Sequence, residues 1–369
     1  MQGCLDLVST HRYEAAVRRC PAVFESNGDA RAGVAVVRAH YSLGHDEEVV
    51  AWVDRLAKAG TAEPGVWSMA GAVHQKRGRI KEAERAYRSD LAVCRATADH
   101  RHAADSLLRL FNLSRGRAGY HETFLLASEH LQEAAKTGDP ALRARAAEAL
   151  YVVLFDAGDL AAARRALEAT QAWAGALDPK AQARFLNNMG TVLAAEGRVA
   201  LARRDFERAL ELGAGGTEEL LRSVHLNLAE ILLDLGDVEQ ASQHLAAAWR
   251  HAEPGQAPET SLLDYRARIA LARGNLPEAA QALTAALSSH PEPEWAWDLE
   301  YRRGLLAEAR GDPRAAEEAY EKSIGIVEDM RRSLAFDELK TWLLDRQREP
   351  FEALFRLQAR SGRARDALA

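Results

Sequence analysis

Turn-forming positions recur along this chain at an interval that suits a helical repeat better than any single-core fold. They fall at 44, 78, 118, 158, 197, 236, 274 and 311, separated by 34, 40, 40, 39, 39, 38 and 37 residues. A period of that length holds two helices and two tight connections, so each unit buries its apolar face only by stacking on the next. Composition agrees: 47% hydrophobic and 28% charged residues with only 11 Pro is a mix of good helix formers.

The clearest unit is FLNNMGTVLAAEGRVALARRDFERALELG, residues 185–213. Leu186, Met189, Gly190 and Leu193 share one helical face, Gly197 ends that helix, and Ala202, Phe206 and Ala209 mark a face of the next. Gly190 and Ala202 are expected to be small because the two helices cross closely there, with Phe206 filling space toward the neighbouring unit. A larger residue at Ala202 is expected to push the helices apart.

Further copies follow. Trp67, Ala70, Gly71, His74, Gly78, Ala83 and Tyr87 make one, and Leu228, Ala229, Leu232, Gly236, Ala241, Leu245 and Ala248 another. Leu263, Ala267, Ala270, Gly274, Ala279, Leu283 and Ala286, closed by Pro291, make a third, and Gly304, Gly311, Ala316 and Tyr320 a fourth. Weaker copies have turns at Gly44, near Ala118 and Gly119, and at Gly158, with a partial unit around Tyr13 and Ala16. This order of small residue, turn glycine, alanine and aromatic resembles the tetratricopeptide repeat (TPR) family over roughly residues 5 to 330, and favours it over HEAT-type pairs. The resemblance implies an all-α, right-handed superhelical solenoid of about eight to nine antiparallel helix pairs over residues 1–330, with a C-terminal helical extension at 331–369.

Beyond the last clear copy the spacing changes, and Gly362 lies 51 residues past Gly311. Ile324, Val327, Met330, the Arg332-Ser333-Leu334 step, Glu338-Leu339 and the stretch from Arg346 to Leu354 resemble the junction of CHAT proteins, where a TPR array precedes a caspase-like peptidase domain. That resemblance implies the regulatory part of a bacterial peptidase system, with the chain ending before the peptidase domain. No catalytic residue carries over, because no strand-rich block with a His and a Cys is present in the sequence.

The remaining chemistry is thin. A formal charge of -6 argues against a general nucleic-acid binder. Cys4, Cys20 and Cys94 form no CxxC pair and are odd in number, which suggests neither a disulfide framework nor zinc, but a reducing, cytoplasmic setting. No leader pattern and no apolar run of about 18 residues point to a membrane.

His100, His102 and Asp105 lack the convergent spacing zinc needs, and His121-Glu122 lacks the second histidine of a metalloprotease helix. GAGG at 213–216 lacks the Lys-Ser/Thr of a phosphate loop and reads as a linker, while Trp295 and Trp297 read as anchors of a helix start. Cys20 and Cys94 read as small buried hydrophobes. No metal, cofactor or catalytic residue is assigned.

Binding is the better prospect. Stacked pairs leave their first helices lining a concave groove. Asn188 and Asn227 occupy equivalent positions there, in LNNMG and LNLAE, where an amide can satisfy both the donor and the acceptor of a ligand's backbone. Arg184, Glu230, Arg268, Tyr301 and Arg302 fall at nearby offsets and would add charge selectivity. The expected activity is capture of a protein or peptide segment, in a peptidase-linked scaffold or in the sensor arm of a bacterial signalling or transcription regulator that takes a small peptide or metabolite.

Overall fold

The computed structural model describes residues 2–60, 63–115, 117, 119–171, 174–213, 216–252, 259–333 and 347–361. Among them there are nineteen α-helices and no strand. In chain order they are α1 (Gln2–Ser9), α2 (Tyr13–Asn27), α3 (Ala30–Leu43), α4 (Asp46–Lys58), α5 (Val66–Lys76), α6 (Ile80–Ala96), α7 (His100–Ser114), α8 (Tyr120–Lys136) and α9 (Pro140–Asp156). There follow α10 (Leu160–Gln171), α11 (Pro179–Ala195), α12 (Val199–Leu212), α13 (Glu218–Asp234), α14 (Val238–Arg250), α15 (Thr260–Ala272), α16 (Leu276–Ser288), α17 (Pro293–Ala309), α18 (Pro313–Ser333) and α19 (Glu349–Arg360). The architecture is that of TPR-like helical pairs, as the period predicts.

Each turn repeats one device. Gly44, Gly78, Gly158, Gly197, Gly236, Gly274 and Gly311 all sit at φ between 69° and 77°, a conformation that side chains resist. The residue after each glycine returns its N–H to a carbonyl five residues back, as in Arg198 to Leu193 at 2.8 Å and Asp237 to Leu232 at 2.8 Å. That bond satisfies an orphan carbonyl at the helix end. Where this residue is Asp or Asn it also caps the next helix: Asp159 accepts from the Ala162 N–H at 2.8 Å and Asp312 from Ala315 at 3.0 Å. The connection predicted near 118 departs from this, since Gly119 is an extended N-cap at φ −64°. Ala118 lies outside the described residues.

Helix crossings obey a size rule. A Cβ placed on Gly71 would stand 2.5 Å from the Tyr87 ring and one on Gly190 2.6 Å from Phe206, and Gly304 meets Tyr320 in the same way. Phe206 therefore fills the crossing inside its own pair. Where leucine replaces the aromatic, at Leu245 and Leu283, the opposing residue is Ala229 or Ala267, and the gap is closed by a methyl. The tyrosines need a further partner: Tyr87 donates its hydroxyl to Gln75 at 2.9 Å and Tyr320 to Glu308 at 2.6 Å, each three residues before the turn glycine.

The chain divides into two compact units, residues 1–153 and 154–369. In unit 1 the apolar core runs through Val36, Val53, Leu56 and Val73 and continues around Tyr87, Leu107 and Leu110. Asp90, fully buried on α6, accepts from the Gly65 N–H at 2.9 Å, the Ser68 N–H at 3.3 Å and the Ser106 hydroxyl at 2.7 Å, and so ties α6 to α5 and α7. Cys4 and Cys20 are joined as a disulfide between α1 and α2, with Cα atoms 5.8 Å apart. This corrects the cysteine count above: a cross-link over 16 residues leaves no local motif, and it removes the argument for a reducing compartment.

Unit 2 has successive small cores around Leu232 and Leu262, around Leu283 and Leu299, and around Tyr320 and Leu357. Its first helices, α11, α13, α15 and α17, approach one another from pair to pair more closely than the second helices α12, α14, α16 and α18 do. Within this unit the first-helix face is therefore the inward-curving one. Leu334, Glu338, Leu339, Arg346 and Gly362, on which the CHAT resemblance partly rests, lie outside the described residues. Of that stretch α19 is described; it packs Ala353 and Leu357 against Ala316 and Tyr320.

Candidate functional site: the first-helix face of unit 2

Three polar ties cross this face, each linking one first helix to the next. The first joins α11 and α13: the Asn227 amide donates to Asn187 Oδ1 at 2.9 Å and reaches Thr191 Oγ1 at 3.4 Å. The second joins α13 and α15, where Arg268 grips Glu230 with both terminal nitrogens at 2.5 and 2.9 Å and Tyr265 donates its hydroxyl to the same carboxylate. Arg268 also lies 5.0 Å from the Tyr265 ring centroid and 3.9 Å from Asp234. The third joins α15 and α17: Arg302 Nε meets Asp264 at 2.8 Å and its terminal nitrogen meets Asp298 at 2.6 Å.

The Arg302–Asp264 pair is largely desolvated, while the Arg268–Glu230 pair buries its arginine and leaves the Glu230 side chain 40% exposed. Side-chain exposure is 13% for Arg268, 15% for Arg302 and 3% for Asp264. Burial pushes Glu230 upward, but the hydrogen bonds and charge of Arg268 outweigh it and hold the carboxyl below its usual range. Burial likewise opposes the Arg268 charge and is overcome by Glu230, which leaves the guanidinium more firmly protonated than usual. Asp264 goes the other way: burial pushes it up to about 6, against the pull of Arg302.

The predicted residues thus divide. Glu230, Arg268 and Arg302 are brought to one face, where Glu230 and Arg268 engage each other across helices and Arg302 engages Asp264 and Asp298. Asn227 is there too, half-buried, with its amide nitrogen committed to Asn187. Asn188, its sequence equivalent, is half-buried on α11, one residue from the buried Asn187. Arg184 is exposed a turn earlier on the same helix. Tyr301 departs from the group: its ring lies 5.9 Å from Tyr320 and packs with the cluster that α19 completes.

Asn187, Tyr265, Asp264 and Asp298 were not predicted. A signal existed, since Glu230 and Arg268, and likewise Asp264 and Arg302, are opposite charges 38 residues apart, one period in this stretch. The face that results is a row of amide, hydroxyl and charge-paired groups at fixed spacing, which suits hydrogen bonding to an extended backbone.

Elsewhere, several reactive side chains are engaged or sealed. Burial, with help from Asp90, pushes the Cys94 thiol up to about 12, which makes it inert. His100 faces Glu133 at 2.7 Å and His102 faces Asp99 at 2.9 Å, so the two imidazoles serve different carboxylates. Glu122 accepts from Arg88 at 2.9 Å. Trp295 is 40% exposed, while the Trp297 carbonyl accepts from Ser323 at 2.6 Å.

Comparison with known proteins places this face in a family context. Residues 181–253, which span α11 to α14, match the tetratricopeptide repeat model. No curated protein matches the sequence. Among solved structures, the apo form of RapI is similar over 91% of this chain and 98% of its own, with a TM-score of 0.69 at 13% identity. The apo form of the quorum sensor NprR from B. thuringiensis is similar over 88% of this chain and 97% of its own, with a TM-score of 0.61 at 11% identity. A tetratricopeptide repeat protein from Parabacteroides merdae covers 76% of this chain with a TM-score of 0.50 at 14% identity. Identities this low carry the fold alone.

Proposed function

We propose that the chain is a receptor scaffold that holds an extended protein or peptide segment against the first-helix face of unit 2. The observation that carries this reading is the pair of amides at Asn188 and Asn227 beside a row of ion pairs that fixes the spacing of α13, α15 and α17. Asn227 spends its nitrogen on Asn187, and its oxygen remains to accept a ligand N–H; Asn188 offers both functions. A preorganised polar surface costs little side-chain entropy on binding, which favours a ligand recognised by its backbone.

Two settings fit such a scaffold. A sensor arm of a signalling regulator is supported by the nearly whole-length likeness to RapI and to the quorum sensor NprR. Control of a caspase-like peptidase is supported by the sequence resemblance of residues 320–369 alone, and we place it second. No helix among the described residues is long and apolar enough to cross a membrane. Binding to an immobilised library of extended peptides tests the reading: the combined Asn188→Ala and Asn227→Ala chain should lose about tenfold in affinity for whatever the native chain captures. Undiminished capture of every ligand, at unchanged helical content, overturns it.

A further inference from the structure

Three histidines gather in the α13–α14 pair, off the row of ties described above. His225 of α13 and His244 of α14 face each other with Nδ1 atoms 3.0 Å apart and ring centroids 5.2 Å apart. His251, which caps the end of α14, stacks on His225 at 5.8 Å with the rings 13° from parallel. The His251 Nδ1 meets Glu218 at 2.5 Å, and its carbonyl accepts from Arg222 at 3.0 Å. The cluster thus closes the end of α14 onto the first half of α13.

A contact between two imidazole nitrogens at hydrogen-bond distance needs one of them to carry hydrogen and the other to be bare. Two neutral rings satisfy it, and so does one neutral ring beside one charged ring. Two imidazolium rings do not, because both nitrogens then point hydrogen at each other and two like charges meet. We propose that His225, His244 and His251 form an acid-responsive clasp, which holds α13 against α14 with a shared proton and releases them when the second proton arrives.

The surroundings sharpen this response. Facing His225 are His244, His251 and Arg250, all from α14 or its cap and all cationic or able to become so. Facing His244 from α12 are Arg203 and Glu207, which pair with each other at 2.8 Å. From α13 itself Glu218 serves His251, and from the start of α15 Glu259 is taken by Arg222 at 2.9 Å. Among the described residues each of these carboxylates already serves a partner, and Arg203 and Arg250 make the same spot a poor one for a divalent metal.

Burial first, then His244 and His251, hold His225 down to about 4, and burial with Arg203 lowers His244. In the unfolded chain both titrate near 6.5. The unfolded state therefore takes up protons first, and the stability of this pair falls as pH drops from about 7 toward 4. Since His225 lies two residues from Asn227 and five from Glu230 on one helix, release of α13 disturbs the candidate binding face, but the clasp stands whether or not that face takes a peptide.

Amide exchange of the full chain between pH 7.5 and 5.0, with exchange times corrected for the intrinsic rate, tests it. Protection across residues 218–250 should fall about tenfold in the native chain and by clearly less in His244→Asn, whose amide keeps one hydrogen bond to His225 without titrating, so that only the burial of His225 still opposes its protonation. Imidazole titration of the native chain by NMR supplies the second readout: His225 should titrate well below the free value of about 6.5. An equal loss of protection in both chains, or a His225 midpoint at the free value, overturns the clasp.

Discussion

The two units join neighbouring repeats with the same kinds of side chain put in opposite places. In unit 1 two long-range ion pairs run between second helices, Arg88 of α6 with Glu122 of α8 at 2.9 Å and Arg95 with Glu129 at 2.6 Å, with all four partners about half exposed, while Arg101 of α7 reaches Asp139 at the start of α9 from an exposed position. In unit 2 the pairs that matter run between first helices and bury their arginines, and Arg302 with Asp264, at 15% and 3% exposure, is desolvated on both sides. Exposed pairs are screened and contribute about 0 to 1 kcal/mol. Desolvated ones contribute little net stability, yet removing one partner costs several kcal/mol, so they act as registers that fix how neighbouring helices align. Unit 2 therefore carries ion pairs that register its first helices, whereas the buried link between the first helices α5 and α7 of unit 1 runs through Ser68, Ser106 and the Asp90 carboxylate.

The sharpest test removes one guanidinium from each kind of tie. Arg302→Ala leaves Asp264 buried beside Asp298 without a cation, and should cost about 3 to 5 kcal/mol. Because a stack of repeats is stabilised mainly by nearest-neighbour contacts, the loss should appear as faster amide exchange confined to α15–α17. Arg95→Ala should cost less than about 1 kcal/mol, with exchange in α6–α8 nearly unchanged. Equal costs at the two sites would erase the contrast.

Unit 1 has one buried charge of its own, and that gives the next largest effect. Asp90 accepts five hydrogen bonds, from Gly65, from Ser68 twice, from Ser106 and from the Cys94 thiol, at 2.7 to 3.6 Å. In Asp90→Asn the amide turns one acceptor into a donor that faces groups which already donate. The expected cost is about 2 kcal/mol, read as a lowered denaturant midpoint with unchanged slope. The disturbance should centre on the α5–α6–α7 junction. A neutral result would mean that the apolar core alone positions these helices.

How much of this was readable beforehand depends on whether a residue's partner lies within one repeat or across two. The turn glycines, the small residues at crossings and the aromatics opposite them are local in sequence, and Gly190 with Phe206 shows both halves of the rule 16 residues apart. Cross-repeat partners were harder. Asn188 and Asn227 were matched as equivalents one period apart, but the hydrogen bond skips to Asn187, because the face of α11 turned toward α13 is offset by one residue from the face turned outward. Glu230, Arg268 and Arg302 were read as ligand-facing because opposite charges at one-period spacing were not read as pairs with each other. The disulfide between Cys4 and Cys20 left no trace, since helix bending at a turn decides which cysteines meet.

Histidines extend the comparison to its smallest effect. The half-buried His225 and His244 of unit 2 partner each other, as the buried His40 of unit 1 partners His45 at 3.1 Å, whereas His130 of α8 in unit 1 is fully buried and neither ring nitrogen has a hydrogen bond. Burial, then the Arg145 charge, pushes it down to about 4. A base whose folded value lies below its unfolded value of about 6.5 binds fewer protons in the folded state, so its contribution destabilises progressively as pH falls from about 6.5 to 4. His130→Leu fills a similar volume without a polar group to strand, and should stabilise unit 1 by about 1 kcal/mol near neutral pH. It should also flatten the acid limb between those values in exchange from α8, while leaving the acid response of α13–α14 as it is in the native chain. If the acid limb of α8 is unchanged by the substitution, the orphan imidazole is not what makes that helix acid-sensitive, and the distinction drawn between partnered and unpartnered histidines loses its physical basis.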